Sequence, residues 1–328
     1  MSATRAWPAL RRRVLTPGIS NTLLSVRGFH EKTPESREML ETVGAMFLTG
    51  YGHAAEAGSS EEARERLEQI PERFRGFAYE GAAMGFAVRD GLPLGGRGHT
   101  AAFVDGPARH HSYMAYVGVG WAMARLPRFR WRTLYAPDPL LRWLVLDGYG
   151  FHQAYFRTEQ YVHRQFQEPE FPWPADGPLW YAQRAIDQGI GRALWFVAGT
   201  DPERAADLVD AFPASRRSDL YSGVGLAATY AGGADADELK ALLVRSGEYR
   251  SDLAQGAVFA ATAREEAGLL VPHNRLATEV LLGTTPEAVA ELSRRTRPDV
   301  AGDGREPAYE TWRRRIAAEF PVTPDTLS

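Results

Sequence analysis

Along this chain apolar residues recur every three to four positions, the spacing of one helix face, in segment after segment. Between Ser36 and Ala57 the stripe is Met39, Leu40, Val43, Met46, Phe47 and Tyr51. A short charged segment capped by Ser60 turns Ala63, Leu67 and Ile70 inward, and after Pro71 the period resumes from Phe74 to Val88. The same pattern predicts helices over 107–126, 138–157, 178–198, 202–211, 218–231, 235–245, 251–267, 272–282, 285–295 and 308–319. Gly91 to Gly98 reads as a glycine-rich loop and Gln167 to Pro178 as a rigid proline-rich connector. No segment alternates with period two between turn signals, so no sheet is expected.

A repeat underlies these helices. Arg217-Ser218-Asp219-Leu220 recurs as Arg250-Ser251-Asp252-Leu253, and Ala227-Ala228-Thr229 as Ala260-Ala261-Thr262, all at an offset of 33 residues. Fainter echoes centre on Gly81, Gly118, Gly148 and Gly189, each early in an apolar helix. A period of this length is typical of helical-hairpin arrays. Glycine inside a helix costs about 1 kcal/mol relative to alanine; its recurrence at one helix position implies that neighbouring axes approach closely there. Ser218 and Ser251 read as N-caps, each with an aspartate in the first turn. The expected fold is all-α: stacked antiparallel helical hairpins forming a solenoid or a partly closed toroid. It would occupy 36–320 as one domain, with a lobe division, if there is one, near 167–178. Residues 1–35 form an N-terminal arm and 321–328 a tail.

Composition narrows the chemistry. Of 328 residues, 44% are hydrophobic and 24% charged, and the formal net charge is −3. This is a globular profile with no basic footprint for nucleic acid. No run of about 18 apolar residues is present, so no transmembrane segment is expected. Cysteine is absent, which removes disulfides, thiolate nucleophiles and cysteine-bound metals and fits a cytoplasmic protein. Of the 38 basic residues only Lys32 and Lys240 are lysines, both in polar surroundings that do not suit Schiff-base chemistry. The Gly-x-Gly pairs lie inside helices with no strand before them, so the nucleotide-binding readings fail.

Candidate chemistry gathers around the repeated glycines. Glu80 precedes Gly81, Asp147 precedes Gly148, and Asp187 stands two before Gly189, each in an apolar context. Equivalent positions of an array line one surface. Carboxyls buried there have a raised pKa or are tied to arginine, and serve either as general acids and bases or as holders of the next repeat. His110, His111 and His152 are candidate proton relays. The histidines and acids match no standard metal spacing; no cofactor is expected, a divalent metal being the residual alternative. Just over half of the aromatic residues fall between 113 and 196. They are read as core or as the wall of a pocket for an apolar, conjugated ligand. Tyr113, Trp121, Trp143, Arg192, Trp195, Tyr221 and Gln255 are the candidate binding residues.

Five stretches together carry a resemblance: FAYEGAAMGFAV (77–88), HHSYMAYVGVGWAMARL (110–126), DPLLRWLVLDGYGFHQAYF (138–156), AIDQGIGRALWFV (185–197) and RRSDLYSGVGLAATYAGG (216–233). Over about residues 13–272 the chain resembles the UnbL-type family of uncharacterised bacterial proteins, found mostly beside enediyne polyketide synthase genes in actinobacteria. The resemblance implies a part in turning a linear conjugated polyene into an enediyne core, and assigns no catalytic residue. Three readings follow. The first is a biosynthetic enzyme that isomerises, cyclises or dehydrates an apolar polyene-like small molecule. The second is a non-catalytic helical-repeat protein that holds a labile intermediate or scaffolds other enzymes of the same pathway. The third is an isoprenoid-type cyclase that lacks the usual acidic motifs. The enzyme reading predicts that Asp187→Asn abolishes turnover with little loss of stability. Convergence of Glu80, Asp147 and Asp187 in one closed cavity would favour it; an open concave face with each acid paired to arginine would favour the scaffold.

Overall fold

A computed structural model describes Pro8 and residues 11–13, 15–93, 96–299 and 305–322. Much of the start of the arm, and all of the tail beyond residue 322, lie outside the described residues. A single helical turn, Leu24–Arg27, precedes the array. In chain order the helices are α1 (Pro34–Glu56), α2 (Ser60–Leu67), α3 (Glu72–Gly91), α4 (His99–Val104), α5 (Ser112–Met123), α6 (Trp143–Phe156), α7 (Ala182–Val197), α8 (Pro202–Asp210), α9 (Ala214–Ala231), α10 (Ala236–Arg245), α11 (Arg250–Glu266), α12 (Pro272–Leu282), α13 (Pro286–Thr296) and α14 (Ala308–Ala318). No strand occurs among the described residues.

The long helices α1, α3, α5, α6, α7, α9 and α11 pack side by side in that order. They run parallel: Gly50 faces Ala78 while further along Arg89 reaches the Ala54 and Ala57 carbonyls. Likewise Arg184 meets Asp219 while Trp195 meets Gly232. The short helices, together with the 3-10 segment Arg128–Thr133 and the π turn Glu159–His163, bring the chain back between them. Each hairpin is thus antiparallel within itself while its long arms align.

The Gly-x-Gly pairs explain the closeness. The first glycine of a pair lies under a carbonyl of the preceding long helix and the second under one of the following helix. A Cβ on Gly148 would collide with the Val117 carbonyl, and one on Gly150 with that of Ile186. Gly189 and Gly191 stand in the same relation to Asp147 and Leu220. Only glycine permits contact on both sides, since any side chain would force two axes apart.

The row curves until its end meets its beginning. Buried Arg264 of α11 donates to the Glu72 and Arg73 carbonyls at the start of α3, and Phe259 packs near Tyr113 of α5. The inner side is therefore filled, not open. Helix α14 closes one part of it, its Tyr309, Glu310 and Arg313 reaching α7, α9 and α11. The N-terminal arm straps another part: His30 N–H donates to the Val197 carbonyl, and Lys32 binds the Thr200 and Gly233 carbonyls and Glu238.

Local differences from the expected elements have local causes. Ser59, not Ser60, caps α2, accepting from Glu62 N–H. Helix α9 begins at Ala214, so Ser218 is internal and donates to Asp252 instead of capping. Ser251 is the second residue of α11 and donates to the Phe320 carbonyl. Helix α4 follows the glycine loop unpredicted; Asp90 accepts from the N–H groups of His99 and Thr100 and anchors its start.

Candidate functional site

An apolar opening lies between α1, α3, α5, α6 and α7. Its walls are Leu40, Val43 and Phe47 of α1, Phe77, Glu80 and Met84 of α3, Trp121 of α5, Phe151, His152, Tyr155 and Phe156 of α6, and Arg192 and Phe196 of α7. Pro17, Asn21 and Thr22 of the arm and Arg125 complete the rim. The cavity spans about 700 Å³, mouth included, between closely spaced walls. The space is a slot, suited to a slender or flat molecule. Trp121 organises its wall, packing tilted against Phe47 and Phe151 and edge-on to His152 and Phe156.

Two acids and one arginine stand at its inner end. Arg192 donates to Asp147, which also accepts from Gln188 at 2.9 Å. Glu80 is 3% exposed, and its nearest cation is the same Arg192, Nη2 to Oε1 4.0 Å. No described residue donates a hydrogen bond to its carboxyl in good geometry; the Trp121 indole N–H lies near but is buried without a partner. Burial pushes both acids up, Arg192 opposes this, and the two repel each other. Glu80 rises to about 7. Asp147 takes both strong donors, which leaves Glu80 the less compensated acid of the two. A carboxyl that gains and loses a proton near neutral pH, inside an apolar slot, is equipped for general acid or base chemistry.

His152 faces the same slot. Burial holds it down to about 3, so its ring is neutral, and its Nδ1 has no hydrogen-bond partner among the described residues. The other candidate histidines are elsewhere: His111 stacks on Tyr79 at 3.7 Å, and His110 is exposed beside Arg109. Asp187 lies away from the slot, clamped by Arg216 through Nε (2.9 Å) and Nη2 (2.5 Å) and by Gln183 (2.8 Å). Arg216 in turn donates to the Gln165 carbonyl, so this unit fastens the chain just before the Gln167–Pro178 connector. The structure brings Glu80, Asp147, Arg192, His152 and Trp121 together and leaves Asp187, His110 and His111 apart.

The remaining candidates are distributed. Tyr113 lines a second, smaller space of about 320 Å³ with Asp147, Arg192, Tyr230 and Phe259, on the other side of the ion cluster. Trp143 is buried edge-on to Tyr181, and Trp195 donates to the Gly232 carbonyl. Tyr221 bonds Asp210 and the Arg245 carbonyl at the outer edge. Gln255 accepts from Ser222 and Arg313. The α1 wall of the slot was legible only as a helical stripe, since Leu40, Val43 and Phe47 have the spacing of ordinary core. Among the described residues no three histidine, aspartate or glutamate side chains gather closely enough to hold a metal ion. No helix among the described residues is long and apolar enough to cross a membrane.

Fold and site together define an all-helical array protein with a buried, acid-bearing apolar slot. A family model described as a protein of unknown function, DUF1702, matches residues 6–320, and the chain belongs to that family. Comparison with curated proteins and with solved structures gave no match.

Proposed function

We propose that this protein is a biosynthetic enzyme acting on a slender, apolar, conjugated molecule held in the slot. Glu80 moves a proton to or from it during isomerisation, cyclisation or dehydration. The observation that carries this reading is Glu80 itself, a buried carboxyl that lines an aromatic slot and whose compensation among the described residues is only the Trp121 indole nearby and Arg192 at 4.0 Å. A carboxyl kept only for structure would be expected to have its donors. Asp147 and Arg192 hold the site's charge, and neutral His152 shapes the wall. The resemblance in the five sequence stretches suggests the substrate, a linear conjugated polyene of enediyne-type core formation, and with it partner enzymes of the same pathway.

A second reading is a carrier without chemistry. Asp147 and Asp187 are both tied to arginines, as in a purely structural array, and this favours it. The isoprenoid-type cyclase has less support, because it needs clustered acids for metal.

One experiment separates these. Purified protein is incubated with the polyene made by an enediyne synthase, and absorption and product mass are followed for wild type and Glu80→Gln. A new mass in wild type, lost in the variant, is the expected result. A shifted spectrum with unchanged mass favours the carrier. Full turnover by Glu80→Gln would overturn the role given to Glu80, and no response at all would overturn the substrate.

A further inference from the structure

The slot has an electrical direction. At its inner end Arg192 is engaged by Asp147 and lies 4.0 Å from Glu80, so that end offers no free cation. At the rim the balance differs. Arg125, just beyond α5, lines the mouth and is exposed, and its guanidinium has no hydrogen bond or ion pair with a described residue. Arg27 lies over the ring of Phe156, its guanidinium carbon 5.2 Å from the centroid, and its Nε is buried without a hydrogen-bond partner. Several other arginines are engaged: Arg12 with Glu56, Arg128 with Glu168, Arg66 with Glu56 and Glu62. The carboxylate on the Arg27 side of the rim, Glu41, accepts from Leu24 N–H at 3.0 Å. Among the described residues, two guanidiniums without a carboxylate partner thus stand on the outer side of an aromatic slot whose inner end holds no free cation.

Resting on the reading of the slot as a site for a slender apolar molecule, we infer that its ligand is an amphipathic acid: a carboxylate held at the rim by Arg125 with Arg27 beside it, and an apolar chain running inward past Phe156 and Trp121 toward Glu80. The guanidinium fork matches a carboxylate and, unlike an ammonium, is weakly hydrated. An apolar interior rejects the charged end and accepts the chain. The ligand is thereby oriented, with its far end, not its head, delivered to Glu80.

Decanoic acid and decan-1-ol test this as probes of equal chain length, titrated into the full-length protein with tryptophan fluorescence and calorimetry as readouts. Wild type is expected to bind the acid about tenfold more tightly than the alcohol, as one charge-assisted contact would give. Arg125→Met should erase that margin and leave alcohol binding unchanged, Arg125→Lys should keep part of it, and added salt should weaken only the acid. Both substitutions are at an exposed position and leave the core intact. Equal binding of acid and alcohol, or an Arg125→Met variant that keeps the preference, overturns the head-group assignment while the slot reading stands. If neither probe binds, both fall. Acid binding that survives Met84→Trp, which fills the slot, also overturns the proposal, since the acid would then be on the surface.

Discussion

Two buried carboxylate clusters lie a few helices apart, and they behave in opposite ways. Around α14, Glu310 and Asp219 share Arg184 and Arg313 through contacts of 2.7–3.3 Å, and the Tyr181 hydroxyl donates to Glu310 at 2.8 Å. Asp252 and the exposed Arg314 extend the cluster without upsetting its balance. Burial pushes Glu310 up, but Arg313, Arg184 and Tyr181 outweigh it, and its carboxyl is held below the usual range. In the slot, Glu80 is as deeply buried, yet two acids divide one arginine and Glu80 receives the smaller share. Its pKa rises to about 7. Burial alone therefore does not produce a proton-holding acid. Around Glu310 the cations and donors outweigh burial; around Glu80 they do not.

The comparison can be broken or sharpened by substitution. The largest effect is expected from Gly189→Ala, which leaves both clusters chemically intact but drives a Cβ into the Asp147 carbonyl. The α6–α7 contact must open, and the loss should exceed about 4 kcal/mol, in the range of severe core disruption. Urea denaturation or the soluble yield reads it, and near-native stability would refute the two-sided glycine contact. Next comes Arg313→Met. Removing one partner of a buried ion network typically costs about 3–5 kcal/mol, and the balanced cluster should then resemble the slot, with Glu310 titrating upward. Asp187→Asn tests the third acid in the same way: with Arg216 left uncompensated, stability should fall by about 3 kcal/mol while probe binding in the slot is unchanged.

The pH dependence gives the sharpest contrast because its sign differs between the clusters. Glu80 has a folded pKa above its unfolded value of 4.5, so its stabilising effect is fully present below pH 4.5 and is lost as pH rises to about 7. The change is on the order of a few kcal/mol, at about 1.4 per pH unit. Glu310, held below 4.5, contributes above that value and loses its contribution as pH falls through its folded pKa. Glu80→Gln should flatten the loss between pH 4.5 and 7, whereas Glu310→Gln should flatten only the acid limb. Urea midpoints across pH 3–8 would read both, and identical pH profiles for the two variants would remove the distinction. The smallest effect is expected from Tyr181→Phe, which takes one hydroxyl donor from Glu310: about 1–2 kcal/mol, with the acid limb moved upward.

Much of the array was legible along the chain because a helix is a local object. Its apolar stripe, its caps and the glycine at a close crossing are all written within one segment, as the stripe Met39–Tyr51 and the repeated Gly-x-Gly pairs demonstrate. The candidate site was legible in residue type more than in arrangement. Glu80, Asp147 and Asp187 look equivalent beside their glycines, and the sequence treats them alike. They differ because the guanidinium that reaches Asp147 comes from α7 while the one that reaches Asp187 comes from α9.

By itself, then, the sequence determined an all-α repeat protein without cysteine chemistry, with its glycine-packed helices and its buried acids. Curvature and long-range contact decided the rest. The row bends far enough to bring α11 against α3, the arm and α1 close over Trp121, and Arg192 is shared between two carboxyls from different helices. A side chain's protonation state and access depend on neighbours dozens of residues away, which no local period records.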